Sequence, residues 1–375
     1  MSDARREEGR RPRVLLVGQG PPTTGGIPTF VTRLSQDPWL AERVALEYLN
    51  TTPRAVKRPG AFSGGNLRQA LGDAARISRR ARGKDLVHLN LAATPLLPLV
   101  RALLLALAGR AVGARVILHA HTGQLESSLR SRPYRVVFRM VGRVAHAIVV
   151  VSEPAEAAVA PLVRRVIRIE NGIPLERFRT GPKDPDPPLV SFAGTVCERK
   201  GLLDLRDALV RLRDGEGRLP VRVAIAGDGA QEGPGAFERV RNAYREAGLG
   251  GVEFLGAVGP DDVADLLARS AIFCLPSHYE GFPLAVLEAM ASEAAVVATG
   301  VGDVPRILDG GRAGVLVPVG DGRRLSEALG SLARSPEERG ALAAAGRARV
   351  ASRWDEDRMV RRLFELYRRV AGDGA

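Results

Sequence analysis

The chain has 375 residues, 45% hydrophobic and 26% charged, and its lysines and arginines outnumber its aspartates and glutamates by 55 to 42, a net charge of +13. That composition excludes the disordered and fibrous classes, and at roughly 150 residues per domain the length predicts two domains. The positive balance favours an anionic partner, and with aromatic residues at 5% and no recognisable module, nucleic acid is the poorest of the candidates.

The first thirteen residues, MSDARREEGRRPR, carry charges of both signs ahead of a short apolar run, which is not the pattern of a signal peptide. RVLLVG at 13–18 reads as a strand. The glycine loop GQGPPTTGG, Gly18 to Gly26, follows it and leads to a helix expected from about Thr29, so its amides can approach an anion. It is not a dinucleotide fingerprint, because Thr23 stands where the third glycine would be, and it has no Walker lysine. DLVHLNL at 85–91, RVILHAH at 115–121, AIVVVS at 147–152 and VIRIENG at 166–172 continue the strands, with helical patterns between them. The longest apolar stretch, Leu96 to Gly109, is broken by Arg101 and is too short to span a bilayer, so it reads as a buried or membrane-touching helix. LRSRPYRVVFRMVGR at 129–143 has five arginines and no acid, and after Pro133 the residues Arg135, Arg139 and Arg143 form one stripe of a helix. With the basic segment Arg76 to Lys84 it offers a face for an anionic membrane or a phosphorylated acceptor. His88 and His119 sit near strand ends and read as satisfied structural histidines.

Arg179 to Pro188, RTGPKDPDPP, reads as a linker, after which LVSFAGTV, VRVAIAGDG, VEFLGAV, AIFCLPS, AVVATG and GVLVPVG restart the alternation. A second glycine loop, GDGAQEGPG from Gly227, fits no phosphate fingerprint either. Alternation of this kind argues for βαβ units and parallel sheets, hence two doubly wound, Rossmann-like α/β domains with ligands beyond the carboxyl ends of the strands. The expected boundaries are 12–180 and 188–353, with a last helix over 354–371 packing back on the first domain. Cys197 and Cys274 lie in apolar runs and read as buried free thiols of a reducing, cytoplasmic compartment.

HYEGFPLAVLEAM, 278–290, carries the most chemistry. Pro283 suits the first helical position, so the helix N-terminus falls at Gly281 to Leu284 and offers free amides and a positive dipole end to a phosphate. Gly281 allows close approach. Glu288 shares a face with Leu284 about 6 Å further along the axis, close to the offset between a diphosphate and a ribose diol. Glu280, ahead of the helix, can accept from hydroxyls on the other side. The alternative is a first-turn acid and a solvated helix face.

The stretch from Leu275 to Pro305 resembles the donor-binding signature of retaining glycosyltransferases of family 4, whose E-x7-E pair matches Glu280 and Glu288. GTVCERKG at 194–201 is similar to that family's glycine strand end followed by a phosphate-contacting lysine, here Lys200. AIAGDG, VEFLGAV and IENGIPLERF fall where the family's next motifs fall, as do Gly25, Gly26 and the HAHTG of 119–123, with His121 as the active-site histidine. The resemblance covers essentially the whole chain. It implies the GT-B architecture, two domains facing across a cleft, and retaining transfer from a nucleotide-diphosphate sugar, UDP-linked before GDP-linked, to a glycan, lipid-linked or small acceptor. It further implies that Glu288 holds the ribose and Glu280 the donor sugar. Lys200 and Arg199 would meet the diphosphate together with the amides of Phe282 and Leu284, with no metal, no cofactor and no side-chain base. Two positions depart from the pattern: Thr195 stands where the family commonly has an arginine, and Arg306 where it often has a glutamate. A sugar-nucleotide epimerase of the same fold and a non-catalytic nucleotide-sugar binder are the alternatives. The expected location is the cytoplasm, with peripheral contact at the inner membrane face.

Overall fold

The computed structural model describes residues 10–23, 25–52, 64–123, 125–183, 186–229, 233 and 235–372. The charged N-terminus, Thr24 of the first glycine loop, two residues of the expected linker and most of the second glycine loop's tip therefore lie outside the described residues.

In chain order the elements are β1 (Arg13–Gly18), α1 (Gly26–Gln36), α2 (Pro38–Arg43), β2 (Ala45–Asn50), α3 (Gly64–Arg80), β3 (Leu86–Leu91), α4 (Leu96–Arg110), β4 (Arg115–Ala120), α5 (Leu125–Leu129), α6 (Arg132–Val144), β5 (Ala147–Val150), α7 (Glu153–Val159) and β6 (Val166–Arg168). Then come β7 (Leu189–Ala193), α8 (Leu202–Leu212), β8 (Arg222–Ala226), α9 (Ala236–Glu246), β9 (Glu253–Gly256), α10 (Pro260–Arg269), β10 (Ile272–Leu275), α11 (Leu284–Ala291), β11 (Ala295–Thr299), α12 (Val304–Ile307), β12 (Val315–Val317), α13 (Gly322–Arg334), α14 (Pro336–Arg353) and α15 (Glu356–Gly372). The chain divides into two compact units, residues 1–171 with 357–375, and residues 172–356.

The first unit holds a parallel sheet in the order β2-β1-β3-β4-β5-β6, the second a parallel sheet in the order β12-β11-β10-β7-β8-β9. In each, the first strand of the unit is where the order reverses, between β1 and β3 and between β7 and β10. Crevices beyond the carboxyl ends of strands at such switch points are where doubly wound sheets bind ligands.

Both faces of the first sheet are covered, which is why its strands read as continuous apolar runs. Leu15, Val17, Leu89 and Leu118 pack against Ile77 of α3, Leu105 of α4 and Phe138 of α6. Val14, Leu16 and Ile117 pack on the other side against Phe30 and Leu34 of α1 and against Met359, Leu363 and Tyr367 of α15. The last helix is thus part of the first unit's core.

Residues 172–180, read from the sequence as the end of the first domain, belong to the second unit. Ile173 is buried and pairs with Asp355, its amide donating to the Trp354 carbonyl at 2.9 Å. Lys183, inside the expected linker, donates to the carbonyls of Ala268 at 3.0 Å and Ser292 at 2.5 Å, so this stretch is tied down by hydrogen bonds where a free linker was expected. Burial pushes its ammonium down to about 8.

Candidate functional site

The second unit brings Lys200 and Glu280 together at the β7/β10 switch point. Gly194 (φ +151) directly follows β7, and a Cβ on Gly227, directly after β8, would lie 1.8 Å from the Gly194 carbonyl oxygen. Only glycines let these two strand ends approach so closely. The chain then makes a 3-10 turn, Glu198–Lys200, closed by Gly201 in the left-handed region (φ +69). A Cβ on Gly201 would meet the Pro276 carbonyl oxygen at 1.8 Å, so the turn that carries Lys200 lies directly against the end of β10. A second clamp ties the same two segments, the His278 amide donating to the Arg199 carbonyl at 2.9 Å.

Lys200 Nζ consequently sits 2.6 Å from Glu280 Oε1, with 16% and 10% of the two side chains exposed. Ser277 Oγ donates to the same carboxylate oxygen at 2.7 Å. An ammonium and a carboxylate so placed form a charge-assisted pair at the rim of a sheet, able to exchange partners with an incoming anion and incoming hydroxyls. His278 Nε2 lies 2.6 Å from Asp204 Oδ2 alongside. Ser277, His278 and Asp204 were not singled out from the sequence. Ser277 had a signal, standing three residues before Glu280 in the same motif, whereas Asp204 is brought in only by the fold.

Arg199 lines a cavity of about 200 Å³ with Cys197, Glu198, Ala236 and Arg239, beside the start of α9.

The helix after Glu280 begins one residue later than the sequence predicts. Pro283 is the N-cap (φ −76, ψ 108) and α11 starts at Leu284, since the extended backbone of Pro283 lies outside the helical region. Phe282 is buried and turns its ring toward Trp354, centroids 6.2 Å apart. What Phe282 can offer a ligand is therefore its backbone. Gly281 is half-buried and its carbonyl accepts from the Asp303 amide at 3.0 Å. Along α11, Val286, Leu287, Ala289 and Met290 are buried, while Leu284, Ala285 and Glu288 keep some exposure. The accessible stripe of this core helix thus runs from its N-terminal end to Glu288. Arg306, at the second departure noted in the sequence, donates to Asp303 at 2.8 Å.

In the first unit, Gly25 caps α1 with φ 127 and no side-chain cap, and the helix begins at Gly26, three residues ahead of expectation. The positive φ explains glycine at 25, and a Cβ at Gly26 would meet nothing within 4 Å, so open space lies beside that amide. His121 follows β4 and stacks on His119 with centroids 3.9 Å apart, and His119 in turn lies parallel to His88 at 5.4 Å. Phe30 of α1 closes the group, 4.6 Å from His121. His121 Nε2 is 2.9 Å from Asn90 Oδ1, and His88 Nδ1 is 2.7 Å from the Tyr367 hydroxyl of α15. Burial pushes His121 and His88 down to about 3 and His119 well below the ordinary histidine value, so the stack is neutral at neutral pH.

His88 and His119 are fully buried, as expected of structural histidines, but neither is satisfied: His88 Nε2 and both ring nitrogens of His119 have no hydrogen-bond partner. Asn90 was missed from the sequence. Its signal was the period of two, since His88 and Asn90 on β3 and His119 on β4 share one face, with Asn90 opposite His119 in register.

Two units, each with a parallel six-stranded sheet in a Rossmann-like order, define the GT-B class of nucleotide-sugar transferase folds. Sucrose-phosphate synthase from Thermosynechococcus elongatus superposes with a TM-score of 0.79 at 20% identity, covering 97% of this chain and 100% of that one. Anabaena HepE, solved in complex with UDP and glucose, superposes with a TM-score of 0.74 at 18% identity, covering 94% and 98%. The chain belongs to the family these motifs announce. Residues 25–177 match the family described as Glycosyltransferase Family 4, and residues 187–335 that described as Glycosyl transferases group 1. In sequence it is 32% identical over 213 residues to the D-inositol 3-phosphate glycosyltransferase of Saccharomonospora viridis, 53% of this chain and 49% of that protein. The match spans about half the length of such curated relatives.

Proposed function

We propose that this protein is a retaining glycosyltransferase that moves a sugar from a nucleoside-diphosphate donor, UDP-linked before GDP-linked, to a hydroxyl of a glycan, lipid-linked or small-molecule acceptor. The observation that carries the reading is the Lys200–Glu280 pair at 2.6 Å, seated at a topological switch point ahead of a helix whose accessible stripe leads to Glu288. In this scheme the diphosphate takes Lys200 and the amides at the start of α11, and Glu280, released from the lysine, accepts from hydroxyls of the donor sugar. Glu288 accepts from the ribose diol, where a carboxylate is favoured by hydrogen bonding and is far enough from the phosphates to escape repulsion. The bond from the anomeric carbon to the diphosphate oxygen breaks as the acceptor oxygen bonds to the same face, and the acceptor's proton passes to the departing phosphate. Lys200 and the helix end stabilise the charge that grows there, the kind of preorganised electrostatics that lowers barriers most.

To Gly25, Gly26 and His121 of the first unit we assign contacts to the transferred sugar and acceptor, with Arg199 a second cation near the nucleotide. The scheme requires no metal or cofactor, so transfer should continue in EDTA. HepE, solved with UDP, makes UDP the first nucleotide to try. The two cysteines are buried and not joined in a disulfide, which fits a reducing compartment such as the cytoplasm.

The test is a thermal shift with UDP, GDP and ADP and their sugars. A nucleotide at a hundred times its Kd should add about 2.7 kcal/mol of stability. Glu288→Ala should abolish most of that shift, and a wild-type protein stabilised by none of the three would overturn the assignment.

A further inference from the structure

Seven of the nine exposed large apolar side chains among the described residues lie on three helices of the first unit, α3, α4 and α6. The second unit contributes only Val210 and Val319 to that set. Surface leucines and valines scattered singly are ordinary, but this concentration is not. α4 packs between α3 and α6, and the inner sides of all three are buried in the core over the sheet. On the outer sides, Leu67 and Leu71 stand one turn apart on α3, Leu97, Val100 and Leu107 run along α4, and Val136 and Met140 stand one turn apart on α6.

The charge on the same helices has one sign. Exposed arginines accompany the apolar rows: Arg68 and Arg79 on α3, and Arg132, Arg139 and Arg143 on α6. The single carboxylate on the three helices, Asp73, is buried and held by Arg76 at 3.0 Å and Arg101 at 2.7 Å. The α6 stripe differs from the one read in the sequence. Arg135 is half-buried beside Tyr134, and the outward face is Arg132, Val136, Arg139, Met140 and Arg143. Apolar residues and arginines therefore share one surface, with long cationic side chains able to reach up past the leucines.

We propose that the α3–α4–α6 face docks on an anionic lipid bilayer, its apolar rows entering the headgroup boundary and its arginines meeting lipid phosphates. A soluble phosphorylated acceptor would account for the arginines and leave the exposed leucines unexplained. A protein partner fits less well, since no aromatic residue, the commonest anchor of protein interfaces, is among the exposed side chains of this face. No helix among the described residues is long and apolar enough to cross a membrane, so the contact is peripheral. The proposal stands apart from the donor chemistry, because it uses no residue of the second unit.

The test is flotation of the full chain with phosphatidylcholine vesicles containing or lacking 30 mol% phosphatidylglycerol, at moderate salt. Each arginine near an anionic surface contributes roughly a fivefold gain in partitioning, so the triple reversal Arg132→Glu, Arg139→Glu and Arg143→Glu, which adds repulsion to that loss, should cut binding by at least about a hundredfold. Val136→Glu with Met140→Glu should lower it at least tenfold, while Val210→Glu with Val319→Glu leaves it unchanged. Because all these side chains are exposed, a retained melting temperature shows that the variants fold. Wild type that fails to float, that floats equally on neutral vesicles, or whose α6 variants float as well as it does would overturn the proposal. So would concentration-dependent dimerisation lost in the Val136→Glu/Met140→Glu variant, which would make the face a self-association surface.

Discussion

Lys200 and Glu280 hold each other at 2.6 Å, and that arrangement makes their substitutions separable. Glu280→Gln keeps an acceptor for Ser277 Oγ and removes the charge that engages the lysine. UDP affinity should therefore hold or rise, while turnover falls by roughly 10²–10³ as an interaction made to the reacting sugar is lost. Lys200→Ala should weaken both UDP binding and turnover, and isothermal titration beside an assay of sugar transfer separates the two patterns. Equal losses in both variants would show that the pair is structural. Asn90 acts one step away. Its Oδ1 accepts from His121 Nε2, which leaves Nδ1 as the free acceptor and fixes the ring on His119. Asn90→Leu should cost about 1–3 kcal/mol by stranding that donor, and turnover should fall with donor KM unchanged. Glu280 and Glu288 were singled out by their spacing within one segment and Lys200 by the resemblance of 194–201, whereas the pairing of Lys200 with Glu280 across 80 residues was not legible. Nor was Asn90, because its role exists only across two paired strands.

Among the elements, the turn at Glu198–Lys200 is the most tightly specified. Gly201 combines a left-handed backbone (φ +69) with a Cβ position 1.8 Å from a backbone oxygen that cannot swing away. Gly201→Ala should destabilise the second unit by roughly 2–4 kcal/mol, the sum of left-handed strain and overpacking, and should lower transfer as Lys200 moves. Gly26→Ala is the contrasting case. It stands at the first turn of α1 with open space around it, so stability should change by less than about 0.5 kcal/mol. Any loss of transfer there reports a ligand near the added methyl group. Denaturant midpoints and initial rates for both variants check this. Element order was readable from periodicity, whereas ends were displaced where the local signal was ambiguous. Proline fits either side of a helix start, and a proline-rich, charged stretch looks like a linker until Lys183 is seen bound to two carbonyls.

On the scale of the whole molecule, alternating strands and helices were enough to predict two parallel α/β units. They did not show that residues 172–180 belong to the second unit, because that allegiance rests on long-range contacts: Ile173 with Asp355, Arg177 with Asp261, and Arg347 with the Phe178 carbonyl. Nor did they show that the first sheet carries neutral imidazoles in its core. His88, His119 and His121 are all held below their ordinary value, so below about pH 6.5 the unfolded chain binds three protons at these rings that the folded chain does not. The sign follows: their contribution to stability is complete above the unfolded value and is lost as pH falls toward about 3. Each such site removes about 1.4 kcal/mol per pH unit, hence about 4 kcal/mol per unit for the three rings. Between pH 6.5 and 5 Asp85 contributes little, since the arginines beside it hold it below the usual carboxylate range. In that window the free energy of unfolding of the first unit should fall steeply, and His119→Leu should lower the slope by about a third by removing one of three sites. A wild-type protein whose stability is flat from pH 6.5 to 5 would mean that these rings take up protons in the folded state, and that the stack is hydrated or hydrogen-bonded in solution.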